Sequence, residues 1–169
     1  MSAAGGPGDG AAVTVRGPTA VSVVRVLAVP RQRLFDLVAD PALHPRIDGS
    51  GTLRGVLRGP ARLGPGARFG MGMRMGLPYR VTNRVVEFEE GRRIAWTHFS
   101  GNVWRWEFPG APLDGTSGAT SGATEVTETF DWGRSRAPWA VRRMAAGNAA
   151  AMARSIGHLG ALAADGDAG

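Results

Sequence analysis

Two residue types are missing from this chain, which has no cysteine and no lysine. Without cysteine there are no disulfides, no thiolate metal ligands and no cysteine nucleophile. Because lysine is absent, all 20 basic residues are arginine, and arginine keeps its proton over the accessible pH range. Long hydrophobic runs are also missing, since none approaches the roughly 20 residues of a membrane span. We therefore expect no disulfide and no membrane span. The chain also has no metal-ligand spacing, so we expect no metal site and no cofactor.

The net positive charge of the chain has two interpretations. A net charge of +6 is compatible with a nucleic-acid partner. The arginines, however, are spread from Arg16 to Arg154 among acidic residues, and no basic cluster lies beside stacking aromatics. We expect no nucleic-acid partner. Residues 1–10 lack the basic start and apolar core of a secretory signal, so the expected location is cytoplasmic.

Composition divides the chain into a tail, one domain and a short end. Residues 1–18 are predicted to be a flexible N-terminal tail, and residues 19–164 a single domain. Within that domain, the segment 110–123 contains Thr-Ser-Gly-Ala twice, a low-complexity pattern typical of a loop without fixed structure. Residues 165–169 are predicted to be disordered.

Helical patterns flank a series of strand patterns. Pro30 suits the first turn of a short helix that ends at Asp40-Pro41, and a second short turn follows it. From Pro138 to about Ala163, large side chains recur at steps of three and four, which predicts one long C-terminal helix. Between them, strand patterns alternate with turn residues, as in an antiparallel meander of about seven strands. The predicted strands are 21–29, 52–58, 67–75, 78–89, 92–100, 103–109 and 124–132.

The inner faces of these strands are rich in Trp, Phe and Met. Successive strand residues point to opposite faces, so each strand divides into an inner and an outer set. Taken singly, each inner residue fits a filled core better than a binding site. Taken together they suit a ligand of variable shape, because methionine adapts to irregular surfaces. The residues predicted to contact a ligand, three of them on the C-terminal helix, are Phe69, Met71, Met73, Met75, Tyr79, Val81, Asn83, Trp96, Trp104, Trp106, Phe130, Met144, Asn148 and Met152.

Polar residues fall on the same inner faces. They are Asn83, His98, Glu128 and, from the C-terminal helix, Asn148. A buried polar group without a partner costs roughly 1–3 kcal/mol, so a dry and filled core disfavours such a set. A hydrated or ligand-filled cavity tolerates these groups and uses them to orient a ligand. The set therefore favours a cavity.

Several motifs resemble one protein superfamily. Val29-Pro30 with Leu34-Phe35 and Asp40-Pro41, the loop from His44-Pro45 to Gly51, and Thr127-Glu128-Thr129-Phe130 are similar to segments of the START-related, polyketide cyclase/dehydrase and lipid-transport superfamily, SRPBCC. Residues 79–88 and 93–96 fit as well, and the resemblance covers roughly residues 20–163. It implies an α+β helix-grip fold, in which a curved antiparallel sheet wraps around a long C-terminal helix and encloses a cavity.

The same resemblance implies a container for small molecules. Members bind lipids, hormones or polyketides, and some cyclise and dehydrate polyketides. We predict a protein that binds a bulky, mainly hydrophobic, polyketide- or lipid-like molecule. A polyketide cyclase or dehydratase is the alternative, and whether the chain is an enzyme stays open. A chaperone-cofactor role requires a large exposed apolar patch. Exposed strand edges allow a homodimer without requiring one.

The candidate catalytic residues are His98 and Glu128. An apolar cavity raises the pKa of a carboxyl group and lowers that of an imidazole, so the pair can shuttle a proton. A structural hydrogen bond between the layers is the other interpretation. His44 and Asp48 belong to a Gly-rich loop and are predicted to lie at the cavity mouth, as a gate or as loop-fixing hydrogen-bond partners. His158, one step off the apolar stripe, is predicted to lie at the surface.

Overall fold

The fold is one curved antiparallel sheet with a long helix across its concave face, in a computed structural model that describes residues 11–109 and 122–165. The strands are β1 (Val13–Arg16), β2 (Ala20–Leu27), β3 (Leu53–Arg58), β4 (Arg68–Met75), β5 (Leu77–Glu89), β6 (Arg93–Thr97), β7 (Val103–Glu107) and β8 (Thr124–Asp131). The helices are α1 (Arg31–Ala39), α2 (His44–Ile47) and α3 (Pro138–Asp165), with a 3-10 turn at Pro41–Leu43. This is the predicted helix-grip architecture.

The sheet order is β1-β2-β8-β7-β6-β5-β4-β3, with every neighbouring pair antiparallel. Strands β3 to β8 form a meander along the chain, as the turn spacing predicts. β2 pairs with β8 over its whole length, so the first long strand closes against the last. α3 packs across β2 and β8 and against α1.

The strand count exceeds the prediction by one. β1 lies in the segment assigned to the flexible tail, and it pairs with β2 from Val13–Val24 to Arg16–Val21. All four side chains of β1 are exposed, and the strand is only four residues long beside a segment rich in Gly and Ala, which by itself is typical of a loop. Residues 1–10, most of the low-complexity loop (110–121) and residues 166–169 lie outside the described part of the chain, where the predicted disorder stays a prediction.

One end of the concave face is filled by α1. Phe35 of this helix is fully buried and contacts Phe88 and Phe108 edge-on, with ring centroids 5.6 and 6.1 Å apart. Phe88 reaches the inner face because a bulge between Val85 and Glu87 shifts the strand register by one residue. We call this region the packed half of the inner face.

None of the helices within residues 11–109 and 122–165 combines the length and the apolar character needed to span a bilayer.

Candidate functional site

The other half of the concave face is hollow. A cavity of about 440 Å³ lies between the sheet and α3, within the size range of small-molecule sites. The predicted ligand-contacting residues that line it are Phe69, Met71, Met73, Met75, Tyr79, Val81, Asn83, Trp96, Trp104, Trp106, Phe130, Asn148 and Met152. The side chain of Met144 lies outside the described part. The residues from the strands share the inner face, and Asn148 and Met152 border the same cavity from α3. Their role in binding stays a prediction.

Aromatic rings form much of the cavity wall. Trp96 stacks on His44 with centroids 5.0 Å apart and meets the edge of Phe69 at 5.7 Å. Trp104 contacts Phe130 at 4.3 Å, since the two residues face each other across β7 and β8. Flat rings held by one another present a rigid apolar surface, which suits a flat or bulky apolar molecule.

His44 does not lie at the cavity mouth, and this prediction is wrong. It is the first residue of α2 and is 7% exposed, and its Nε2–H donates to the carbonyl oxygen of Val38 at 2.8 Å. Burial lowers the pKa of His44, while the hydrogen bond to Val38 and the charge of Asp40 act in the opposite direction. His44 is thus a neutral part of the wall. The loop hypothesis failed because residue 44 already belongs to a helical turn that directs it inward.

Asp48 borders the cavity at the end of α2 and organises the loop that follows. Its Oδ1 accepts the N–H of Ser50 at 2.9 Å, and its Oδ2 accepts the N–H groups of Thr52 and Leu53, both at 3.0 Å. Three backbone donors therefore hold this carboxylate in place beside the cavity, since charged acceptors form strong hydrogen bonds.

Gly49 fastens this loop to α3. Its N–H donates to Ser155 Oγ at 2.9 Å, and its carbonyl oxygen accepts from Nε of Arg154 at 2.8 Å. The backbones approach so closely that a Cβ at position 49 would lie 2.1 Å from the carbonyl oxygen of Ala151. Only glycine fits this contact, which fixes one rim of the cavity.

Glu128 is the most unusual residue of the cavity. It lies on β8 opposite Trp106, is 5% exposed, and its Oε2 has no hydrogen-bond partner among the described residues. Burial raises the pKa of Glu128 well above its usual value, and the nearby charge of Asp48 raises it further. Burial therefore favours the protonated form of this carboxyl group, and that form has an O–H to donate.

His98 and Glu128 both line the cavity, but the structure does not bring them together. Trp96 of β6 pairs with Trp104 of β7, which pairs with Phe130 of β8. In this register His98 lies four positions from Glu128 along the strand direction and two strands away. That offset is about 13 Å along the strands and about 10 Å across them. Nδ1 of His98 instead accepts the N–H of Ser100 at 3.3 Å, and burial lowers the pKa of His98. The proposed proton shuttle within this pair has no geometric basis.

Sequence reasoning missed Asn102, which lines the cavity from the turn between β6 and β7. Asn102 is 8% exposed, and its Oδ1 has no hydrogen-bond partner within the described residues. The signal was present, because Asn102 precedes Trp104 by two positions and shares its face by strand alternation. Asn102 follows Gly101, however, and this pair by itself is typical of a turn.

The cavity opens where its lining residues are exposed. The large ones are Met75 and Tyr79, which flank the β4–β5 turn and are 56% and 41% exposed, and Phe99 in the β6–β7 turn at 71%. His158 is exposed, as predicted, and lies outside the lining. In the described part of the chain, no three His, Asp or Glu side chains lie close enough together to hold a metal ion.

Comparison with curated proteins identifies relatives without a known function. No family model matches the chain. The chain is similar to the uncharacterized protein Rv0088 of Mycobacterium tuberculosis, with 42% identity over 128 residues that make up 74% of this chain and 54% of the relative. The chain thus spans about half the length of the curated relatives it matches.

Solved structures share the fold at low identity. A crystal structure from Rhodobacter sphaeroides has a TM-score of 0.67 at 19% identity, covering 92% of this chain and 99% of that one. The solution structure of an AHSA1-like protein from Aeromonas hydrophila has a TM-score of 0.57 at 18% identity, covering 83% and 93%. These structures confirm the fold that the sequence resemblance implies, a curved antiparallel sheet around a long C-terminal helix.

Proposed function

We propose that this helix-grip protein binds a bulky, mainly hydrophobic small molecule in the cavity between the sheet and α3. The observation that carries the proposal is the combination of an aromatic wall with buried polar atoms that lack partners, namely Oε2 of Glu128 and Oδ1 of Asn102. Such atoms destabilise a folded protein unless water or a ligand satisfies them. A bound molecule satisfies them and covers the apolar wall at the same time.

The size and lining of the cavity support binding over a packing defect. Side chains beside an empty volume lose the dispersion contacts that a filled core provides. A defect of about 440 Å³ would therefore be costly, whereas a ligand restores those contacts. Cytoplasmic location and homodimerisation stay predictions that the proposal does not need.

Blocking the cavity tests the proposal. Ala151 on α3 lines the cavity, whereas the neighbouring Ala150 is exposed and lies outside the lining. We expect wild type and Ala150→Phe to bind the neutral fluorescent probe N-phenylnaphthylamine and to retain a co-purifying small molecule in native mass spectrometry. Ala151→Phe should lose both while keeping the wild-type circular dichroism spectrum. Equal binding by the two variants, or no probe and no adduct in wild type, would contradict the proposal.

A second candidate is acid catalysis on the bound molecule by a polyketide cyclase or dehydratase. One observation favours it, because Glu128 is a buried carboxyl group whose raised pKa suits a general acid. Without His98 beside it, Glu128 would have to act alone. Incubation of wild type, Glu128→Gln and His98→Ala with a linear poly-β-ketone, followed by mass spectrometry, would show loss of water in wild type and His98→Ala only. Equal water loss in all three, or in none, would remove this candidate.

A further inference from the structure

The charges around the cavity differ from those of the whole chain. The chain carries 20 basic residues, yet none of the cavity-lining residues that the structure describes is an arginine. The ionisable side chains that border the cavity from α2, the adjacent loop and the strands are His44, Asp48, Tyr79, His98 and Glu128. Burial lowers the pKa of both histidines, so neither supplies a positive charge at neutral pH. The described wall therefore holds a negative charge, at Asp48, without a positive one to balance it.

This arrangement disfavours an anionic ligand. A carboxylate or phosphate in the cavity would be removed from water, which is costly unless a cation or several donors compensate it. The N–H groups of Ser50, Thr52 and Leu53 are already bonded to Asp48 and are not available to an anion. Repulsion from Asp48 adds to the cost, because charges interact strongly where water is scarce.

Glu128 supplies what an uncharged ligand needs. Its carboxyl group borders the cavity, is 5% exposed and has an oxygen without a partner. A carboxylic acid that keeps its proton donates a hydrogen bond to a carbonyl, ether or hydroxyl oxygen. The neighbouring Trp106 and Phe130 would contact the apolar part of the same molecule.

Asn102 adds a second polar contact at the other end of the same wall. It lies four residues before Trp106, the strand partner of Glu128, so the two polar positions are about 13 Å apart along β7 and β8. Trp104 and Phe130 fill the wall between them. A molecule that reaches from one to the other is elongated, with an apolar middle and a polar group at each end.

We infer that the cavity takes an uncharged, elongated ligand whose oxygen accepts a hydrogen bond from Glu128, and that it excludes carboxylate and phosphate ligands. The inference rests on the proposed function, because it names the ligand class of the same cavity. A basic amine is the competing class, since it would pair with Glu128 and Asp48 as carboxylates and stack on the tryptophans.

Three probes of similar shape distinguish the classes at neutral pH: methyl naphthyl ketone, naphthoate and naphthylethylamine, which are neutral, anionic and cationic. Their affinities are measured by displacement of N-phenylnaphthylamine and by calorimetry. We expect the ketone to bind most tightly. Naphthoate should bind about 10-fold more weakly or worse, because no cation in the wall compensates its charge. The amine should also bind more weakly, because Asp48 is already bonded to three backbone N–H groups and Glu128 would have to release its proton to pair with it. This comparison uses wild-type protein and does not depend on a variant that folds.

Variants of Glu128 then identify the donor. Glu128→Gln keeps an N–H donor and should bind the ketone within about threefold of wild type, whereas Glu128→Leu should lose about 10-fold, the typical worth of one buried hydrogen bond. Ala151→Phe should abolish binding of all three probes. Tightest binding of naphthoate or of the amine overturns the inference, as does equal ketone affinity in Glu128→Leu. Equal binding of all three probes, still blocked by Ala151→Phe, overturns the ligand class and leaves the proposed function standing. Failure of every probe and of N-phenylnaphthylamine overturns both.

Discussion

The two halves of the inner face are built from the same strands and differ in how they are filled. In the packed half, Phe35 of α1 is fully buried between Phe88 and Phe108. In the hollow half, Trp104 and Phe130 contact each other at 4.3 Å and border the cavity. β7 contributes Phe108 just past its end to one half and Trp104 to the other, so neither strand type nor composition decides which half is hollow.

The difference shows how one small domain combines stability with a binding space. The packed half removes apolar side chains from water and fills its volume, which is the main source of folding free energy. The hollow half retains buried polar residues at its wall, including Asn83, Asn102 and Glu128. Polar groups that lack partners oppose folding, so the stability of the packed half is needed to keep the hollow half in shape.

Truncation in the packed half should have the largest effect. Phe35→Ala removes a fully buried ring from between two others, and we expect the free energy of unfolding to fall by about 3–5 kcal/mol. Trp104→Ala should cost clearly less, although tryptophan is larger, because its ring already borders empty volume and is only half-buried. Urea unfolding followed by circular dichroism measures both. Equal losses would mean that the two halves are packed alike and that the comparison is wrong.

Separating the loop from α3 should have the next largest effect. A Cβ in Gly49→Ala would lie 2.1 Å from the carbonyl oxygen of Ala151, so the loop must move and lose its bonds to Ser155 and Arg154. We expect a loss of about 1–3 kcal/mol, as for other overpacked sites, together with weaker binding of N-phenylnaphthylamine.

Gly55→Ala is the matched control for this change. A Cβ at Gly55 meets nothing within 4 Å, so stability and binding should stay close to wild type. A wild-type value for Gly49→Ala would show that the loop is not held against α3 as described.

Alternation along the strands predicted most of the inner face, because side-chain direction in a strand depends on local geometry alone. It placed Trp104, Trp106 and Phe130 correctly. It failed where direction depends on loops or on register. His44 was assigned to the mouth because a Gly-rich segment follows it, and the helical turn that buries it is set by packing on Trp96 and Phe69.

The separation of His98 from Glu128 could not be predicted either. Sequence periodicity shows which face a residue occupies but not its height along the sheet, which depends on how each strand is paired. The same limit applies to the bulge after Val85, which changes the face of the residues beyond it. β1 was missed because it is only four residues long and lies between a Gly- and Ala-rich segment and Gly17-Pro18.

Replacing Glu128, the buried acid of the hollow half, should make the free energy of unfolding less dependent on pH. The pKa of Glu128 is raised in the folded state, so the unfolded chain releases its proton first, near its ordinary value of 4.5. Wild-type stability therefore falls as the pH rises from about this value toward the folded-state pKa, and no penalty exists below it. Glu128→Gln should be more stable than wild type by about 1 kcal/mol at alkaline pH, with the difference vanishing in acid.

Thermal unfolding of wild type and Glu128→Gln across this pH range measures the effect. Glu125→Gln is a suitable control, because Glu125 lies on the same strand, is exposed and is not part of the cavity lining. Parallel curves for wild type and Glu128→Gln would show that the pKa of Glu128 is the same in the folded and unfolded protein, and would contradict its burial in the hollow half.

Truncating a side chain at the cavity mouth should have the smallest effect on stability. It should nevertheless change ligand binding. Phe99 is 71% exposed and borders the cavity, so Phe99→Ala should change the free energy of unfolding by no more than about 0.5 kcal/mol. Its ring borders the opening, and its loss should speed the dissociation of N-phenylnaphthylamine, measured by stopped-flow fluorescence. Trp139 is similarly exposed, at 73%, but does not line the cavity. Trp139→Ala should therefore leave the dissociation rate unchanged. If both variants release the probe at the same rate, the ligand enters by another route, because an opening beside Phe99 must respond to the loss of its ring.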